Sequence, residues 1–156
     1  MDILYYWKNF KEDLNAQKIG WFISNRGKLD EVRQGFPDHI WIIKTPHGRK
    51  GDVQLLAKLR WSDTPVVQTP ELGAQSIIYY DPYQADSVWF NDSGTDGAIA
   101  EISAWVRKHF PSAVRANYQG DNGLHALRGE VLKDLKKISD SFAVDPFMDA
   151  AGVKSS

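Results

Sequence analysis

A chain of 156 residues, 42% of them hydrophobic, is sized and stocked for one domain around one core. Its formal net charge of −1 excludes broad electrostatic wrapping of a duplex, which needs a large positive excess, but leaves room for a local basic patch. It contains no cysteine, which excludes disulfides, thiolate zinc sites and a cysteine nucleophile.

Residues 3–7, rich in aromatic and branched side chains, read as a first strand. Phe10 and Leu14 at i, i+4 predict a short helix over 9–17 that ends near Gly20. Residues 21–24 read as a second strand. Residues 28–34 predict a helical turn, stopped by Gly35 and Pro37. A third strand follows over 40–44, then a loop with the Pro and Gly content of a hairpin over 45–51. From 52 to 62 the chain alternates: Val53, Leu55, Ala57, Leu59 and Trp61 on one face, Gln54, Lys58 and Arg60 on the other, with Leu56 the exception. Residues 77–81 and 87–91 give two more strands.

Helices follow. Ile99, Ile102, Val106 and Phe110 share one face of a helix with capping candidates in 92–96 and an end near His109 and Pro111. Leu124, Leu127, Val131, Leu135 and Ile138 line up as the stripe of a second long helix, over about 123–139. Periodicity is lost after Asp140. Residues 141–156 are expected to be a mobile tail, in which Phe142, Phe147 and Met148 are docking candidates. The order predicts an α+β fold: a small mixed or antiparallel, partly open β-barrel of about six strands. Helices are inserted early, two longer ones close the chain, and residues 1–140 make one domain.

Little in the chain is spaced for catalysis. His39, His47, His109 and His125 carry no metal-ligand spacing, and neither a Gly-rich phosphate loop nor a nucleophile elbow is present. Asp92 to Gly97 resembles a calcium loop, but Ser103 stands where the bidentate Glu is required. The expectation is a non-enzyme without metal or cofactor. No apolar run is long enough to span a bilayer, and no basic segment followed by an apolar run opens the chain. A cytoplasmic protein without a membrane partner is expected.

Binding chemistry is better represented. Most of the 6 Trp, 6 Tyr and 7 Phe are expected to fill a small core, and those at strand ends are pocket candidates. Trp7, Trp21, Ser24, Asn25, Tyr80 and Asp81 combine an aromatic wall with polar groups, which is what a flipped base requires. Lys44, Arg49, Lys50, Lys58 and Arg60 form a basic hairpin with Asp52 as its one acid, suited to backbone phosphates. If the connection over 111–122 is extended, Arg115, Asn117 and Gln119 point one way and Tyr118 the other. Arg, Asn and Gln have the forked geometry that reads base edges, Tyr118 could stack, and Arg115 would join the phosphate contacts.

Three segments carry a resemblance. Tyr5-Tyr6-Trp7 is followed by Gly20-Trp21-Phe22, the strand from Val53 to Trp61 reads like a central barrel strand, and Ile78-Tyr79-Tyr80-Asp81-Pro82 precedes the last strands. In this order the chain resembles the PUA-like superfamily, in particular its EVE and YTH-like branch, over residues 1–110. The resemblance implies recognition of modified DNA or RNA bases in a pocket at the barrel mouth, formed by Trp21, Ser24, Asn25 and Tyr80. Three readings follow. The first is a module binding DNA or RNA through a modified or flipped base. The second is a protein-interaction subunit of a larger complex, and the third a small enzyme acting on a nucleotide-like substrate.

Overall fold

The computed structural model describes residues 1–24, 28–69 and 77–152. The elements run β1 (Asp2–Tyr6), α1 (Phe10–Asn15), β2 (Trp21–Ile23), α2 (Leu29–Gln34), β3 (His39–Lys44), β4 (Gln54–Ser62), β5 (Ile77–Asp81) and β6 (Val88–Phe90). They continue with α3 (Asp96–His109), α4 (Pro111–Arg115), β7 (Leu124–Leu127), α5 (Gly129–Ser139), β8 (Val144–Pro146) and α6 (Phe147–Gly152). Six strands lie in the order β2-β5-β4-β3-β1-β7, with β6 on β4 and β8 on β6. The β1–β3 pair is parallel, and the other pairs are antiparallel. The sheet curls into a half-barrel, so the architecture is the expected α+β, partly open barrel.

The curl is built on β4. Its end, Arg60 to Ser62, pairs β5, while Ala57 and Lys58 pair β6, so one long strand serves two partners on one side. It also carries a β-bulge: Ile42 faces Ala57 and Ile43 faces Leu55, leaving Leu56 as the extra residue. The bulge reverses the alternation. Leu56, Ala57, Leu59 and Trp61 pack into the barrel interior, whereas Val53 and Leu55 pack on the opposite face. The single apolar face expected for this strand is therefore two half-faces, and Leu56 is where they switch.

Two cores result. Inside the barrel, Ile3, Tyr5, Trp7, Ile40 and Ile42 meet Phe22, Tyr80 and Phe147. On the outer face, Leu4, Trp41 and Ile43 meet Ile102, Trp105 and Val106 of α3 and Leu135 of α5. Because β1 and β3 are covered on both faces, they read as unbroken apolar runs rather than alternations. Helix α3 starts where expected, at Thr95, whose Oγ1 accepts from the Ala98 amide at 3.2 Å.

Three expectations are corrected. The helix expected over 123–139 begins only at Gly129, where φ is +58°, and Leu124–Leu127 is instead an edge strand on β1. Leu124 enters the barrel core and Leu127 the outer one, because residues three apart in a strand point to opposite faces. The connection over 111–122 is not extended: Pro111–Arg115 is helical, and Asn117 and Tyr118 are left-handed at φ 51° and 58°. In the segment expected to be a tail, Val144–Pro146 pairs β6 and Phe147 is fully buried against Tyr80 and Trp89. The docking of Phe147 allowed by the sequence, together with the β6–β8 ladder, holds this segment to the barrel.

Candidate functional site

The end of β1 and the strand β2 enclose a cleft of about 440 Å³. Tyr5, Tyr6, Trp7, Trp21, Phe22 and Ser24 supply its wall, and Lys8, Asn9, Asp13 and Lys18 come from the segments around α1. The wall is rigid. Phe22 contacts Trp7 edge-on at 4.6 Å between ring centroids and lies tilted against Tyr5 at 4.8 Å. Trp7 Nε1 donates to Asp13 Oδ2 at 2.8 Å, which ties α1 to the strand end. With the indole N–H of Trp7 bound, its ring serves the cleft as a surface, and polar recognition falls to other groups.

Ser24 is such a group. It is 3% exposed, it lines the cleft, and its Oγ has no hydrogen-bond partner among the described residues. A buried hydroxyl without a partner is costly, by about 1–3 kcal/mol, unless something arrives to satisfy it. Of the predicted pocket residues, Trp7, Trp21 and Ser24 come together here. Asn25 lies outside the described residues. Tyr80 is fully buried behind the wall, stacked on Phe22 at 4.9 Å, and burial pushes its phenol well above the ordinary tyrosine range. Its hydroxyl also has no partner among the described residues. Asp81 does not belong to the cleft. It closes the turn after β5, accepting from the Tyr83 amide at 3.0 Å and from Gln84 Nε2 at 3.2 Å.

The basic hairpin divides by residue type. Its arginines are neutralised: Arg49 pairs with Asp52 and Asp96, and Arg60 with Asp86. The hydrogen bond that Arg49 donates to Asp96, helped by the one it donates to Asp52, holds the guanidinium above its ordinary range despite the opposing effect of desolvation. Lys58 lies over the Trp41 ring on the outer face, 5.3 Å from its centroid. Lys44 turns the other way, between the rings of Tyr6 and Phe10 at 5.9 and 5.7 Å, and bonds the Lys8 carbonyl beside the cleft. Lys50 is exposed at the hairpin tip. Sequence reasoning took Lys44 to Arg60 as one patch; folding leaves Lys44 beside the cleft and Lys50 outside its described lining.

Sequence reasoning missed Lys8, Asp13, Lys18 and Phe22. Lys8 and Lys18 are ten residues apart and only α1 brings them to one rim; the signal was the capture of Trp7 by Asp13, which no spacing rule predicts. In the 111–122 connection, Tyr118 is buried and stacks on Tyr6 at 4.7 Å with an 11° interplanar angle, so it is part of the outer core rather than of the described lining of this cleft. The Arg115 guanidinium donates to Ser112 Oγ at 3.1 Å, and Gln119 is exposed. Neither lines the cleft among the described residues. No group of three or more His, Asp or Glu able to hold a metal occurs among the described residues, and no described helix is long and apolar enough to cross a membrane. No family model, curated protein or solved structure matches the chain.

Proposed function

We propose that this chain is a non-catalytic nucleic-acid-binding module that takes a modified or flipped base into the cleft between β1 and β2. The observation that carries the reading is Ser24, a buried hydroxyl without a described partner in the wall of an aromatic cleft. A base slid against Trp21 would stack on its face and offer that hydroxyl a polar edge. The cleft volume falls within the range of about 300–1,000 Å³ common to small-ligand sites. Lys8 and Lys18 stand exposed on the rim, where phosphates flanking such a base would lie. The location also agrees with the barrel-mouth pocket that the PUA-like resemblance implies.

The test is fluorescence-anisotropy binding of short single- and double-stranded DNA and RNA, with and without modified bases, at low and moderate salt. The expected result is salt-sensitive binding with a preference among bases. Trp21→Ala should weaken it by more than ~1 kcal/mol, since a base–aromatic stack contributes about 1–3 kcal/mol. Absence of binding at low salt ends the reading.

A further inference from the structure

A second cleft, of about 400 Å³, lies on the other side of Tyr6, between the β3–β4 hairpin and the turn after α4. Tyr6, Thr45, Lys50, Asn117 and Tyr118 supply its polar side chains, and Pro46, Gly48, Gly51 and Val114 complete the described lining. Three features set its chemistry. It is rich in donors. Tyr6 Oη accepts from the Thr45 amide at 3.1 Å, so its own O–H remains to donate; Lys50, Asn117 and Tyr118 add an ammonium, an amide and a second phenol. It contains no carboxylate among the described lining residues. Asp52, next in sequence to Gly51, is taken up by Arg49 at 3.3 Å and Arg107 at 2.8 Å. Finally, the turn is strained. Asn117 tolerates a left-handed backbone, but Tyr118 does not do so readily, and the stack on Tyr6 holds it there. Burial, followed by the neighbouring Tyr6 hydroxyl, pushes the Tyr118 phenol upward, with Arg107 acting weakly against it, so the phenol stays a neutral donor.

We infer that this second cleft is an anion site, and that its ligand is a phosphodiester of the same strand whose base occupies the first cleft. The inference rests on the proposed function, because Tyr6 lines both clefts and so places the two sites side by side. A set of phenol, amide and ammonium donors around one cleft, without a carboxylate among the described lining, suits a phosphate, and it would select against a neutral or cationic group at the same place.

The experiment is an amide chemical-shift titration of the full chain with three probes: inorganic phosphate, the four ribonucleosides, and a mixed-sequence RNA hexamer. Phosphate alone should shift the amides of Gly48, Lys50, Gly51, Asn117 and Tyr118, and these shifts should be lost in Lys50→Ala and in Tyr118→Phe, which removes the hydroxyl but keeps the ring stack. Lys50→Ala should also lower the salt slope of hexamer binding by about one, the loss of one phosphate contact. If phosphate and hexamer both leave these amides unmoved, or if both variants respond like the parent, the inference is overturned. Shifts at Trp7 and Trp21 to Ser24 without shifts in the second cleft would keep the base reading and remove the anion site. Phosphate shifts in the second cleft without nucleoside shifts in the first would support the anion site and remove the base reading.

Discussion

At the scale of single residues, two positions hold conformations that their neighbours enforce. Gly20 sits at φ +97°, and a Cβ built there would lie 2.5 Å from Val67 Cγ2. Its carbonyl accepts from the Tyr80 amide at 3.0 Å, so the turn cannot relax without releasing β5 from β2. Gly20→Ala should therefore cost about 1–3 kcal/mol in urea unfolding, through strain at a left-handed position and the clash with Val67. Asp2 is the second position. It is 2% exposed and accepts from the His39 amide at 3.2 Å and Trp41 Nε1 at 2.8 Å. Burial works to raise its carboxyl, but the hydrogen bonds from His39 and Trp41, with the electrostatic pull of His39 and Lys136, outweigh it and hold the group below 3.8. A carboxyl depressed in the folded state binds its proton less tightly there than in the unfolded chain. Its contribution is thus present above about pH 4 and is lost as the pH falls through the lowered folded value. Unfolding midpoints measured from pH 5 down to about pH 2 should decline over that window, and Asp2→Asn should make the decline shallower. Of the site residues, those legible in the sequence were the ones that chemistry alone marks, Trp7, Trp21 and Ser24. Asp81 misled because an Asp two residues before Tyr83 serves a turn as readily as a ligand.

At the scale of elements, the six strands read from the sequence are all present, because alternation and β-branched or aromatic runs are local signals. The errors arose where a local signal was degenerate. Leu124, Leu127, Val131, Leu135 and Ile138 fit one helical stripe, yet both faces of the sheet are apolar, so a strand that buries Leu124 and Leu127 on opposite faces satisfies the same residues. The sign that could have separated the two is Gly129, whose positive φ marks a break between strand and helix. Phe147 gives the clearest prediction at this scale. It is fully buried among Tyr80 and Trp89, on an element too short to announce itself by period. Phe147→Ala should cost about 3–5 kcal/mol, the range for emptying a buried aromatic site. Deleting everything after Asp140 should lower the thermal midpoint by several degrees at least, since each kcal/mol lost is worth about 2–4 °C in domains of this size. An unchanged midpoint on truncation would show that the β6–β8 pairing contributes nothing to the barrel.

At the scale of the whole molecule, the two clefts share one origin. The parallel pair β1–β3 ends with Tyr6 beside Ile43, one residue before the end of β3 at Lys44, and everything after those ends must turn away to return antiparallel. The strand tips are thus left open, with α1 on one side and the hairpin on the other, and this is where both clefts lie. The same pairing has a consequence in time. Strand β1 is threaded between β3 and β7, its partners running from His39 and from Leu124. During synthesis, at about 5–20 residues per second, it is made before β3 and β7, and its last ladder must wait for more than a hundred further residues. Until then an aromatic strand that ends buried on both faces stands with one edge bare. Contacts of such long sequence separation slow folding, toward the millisecond-to-second regime of β-rich domains. In the nascent chain, the strand that later forms the cleft wall is also the segment most open to pairing with the wrong neighbour.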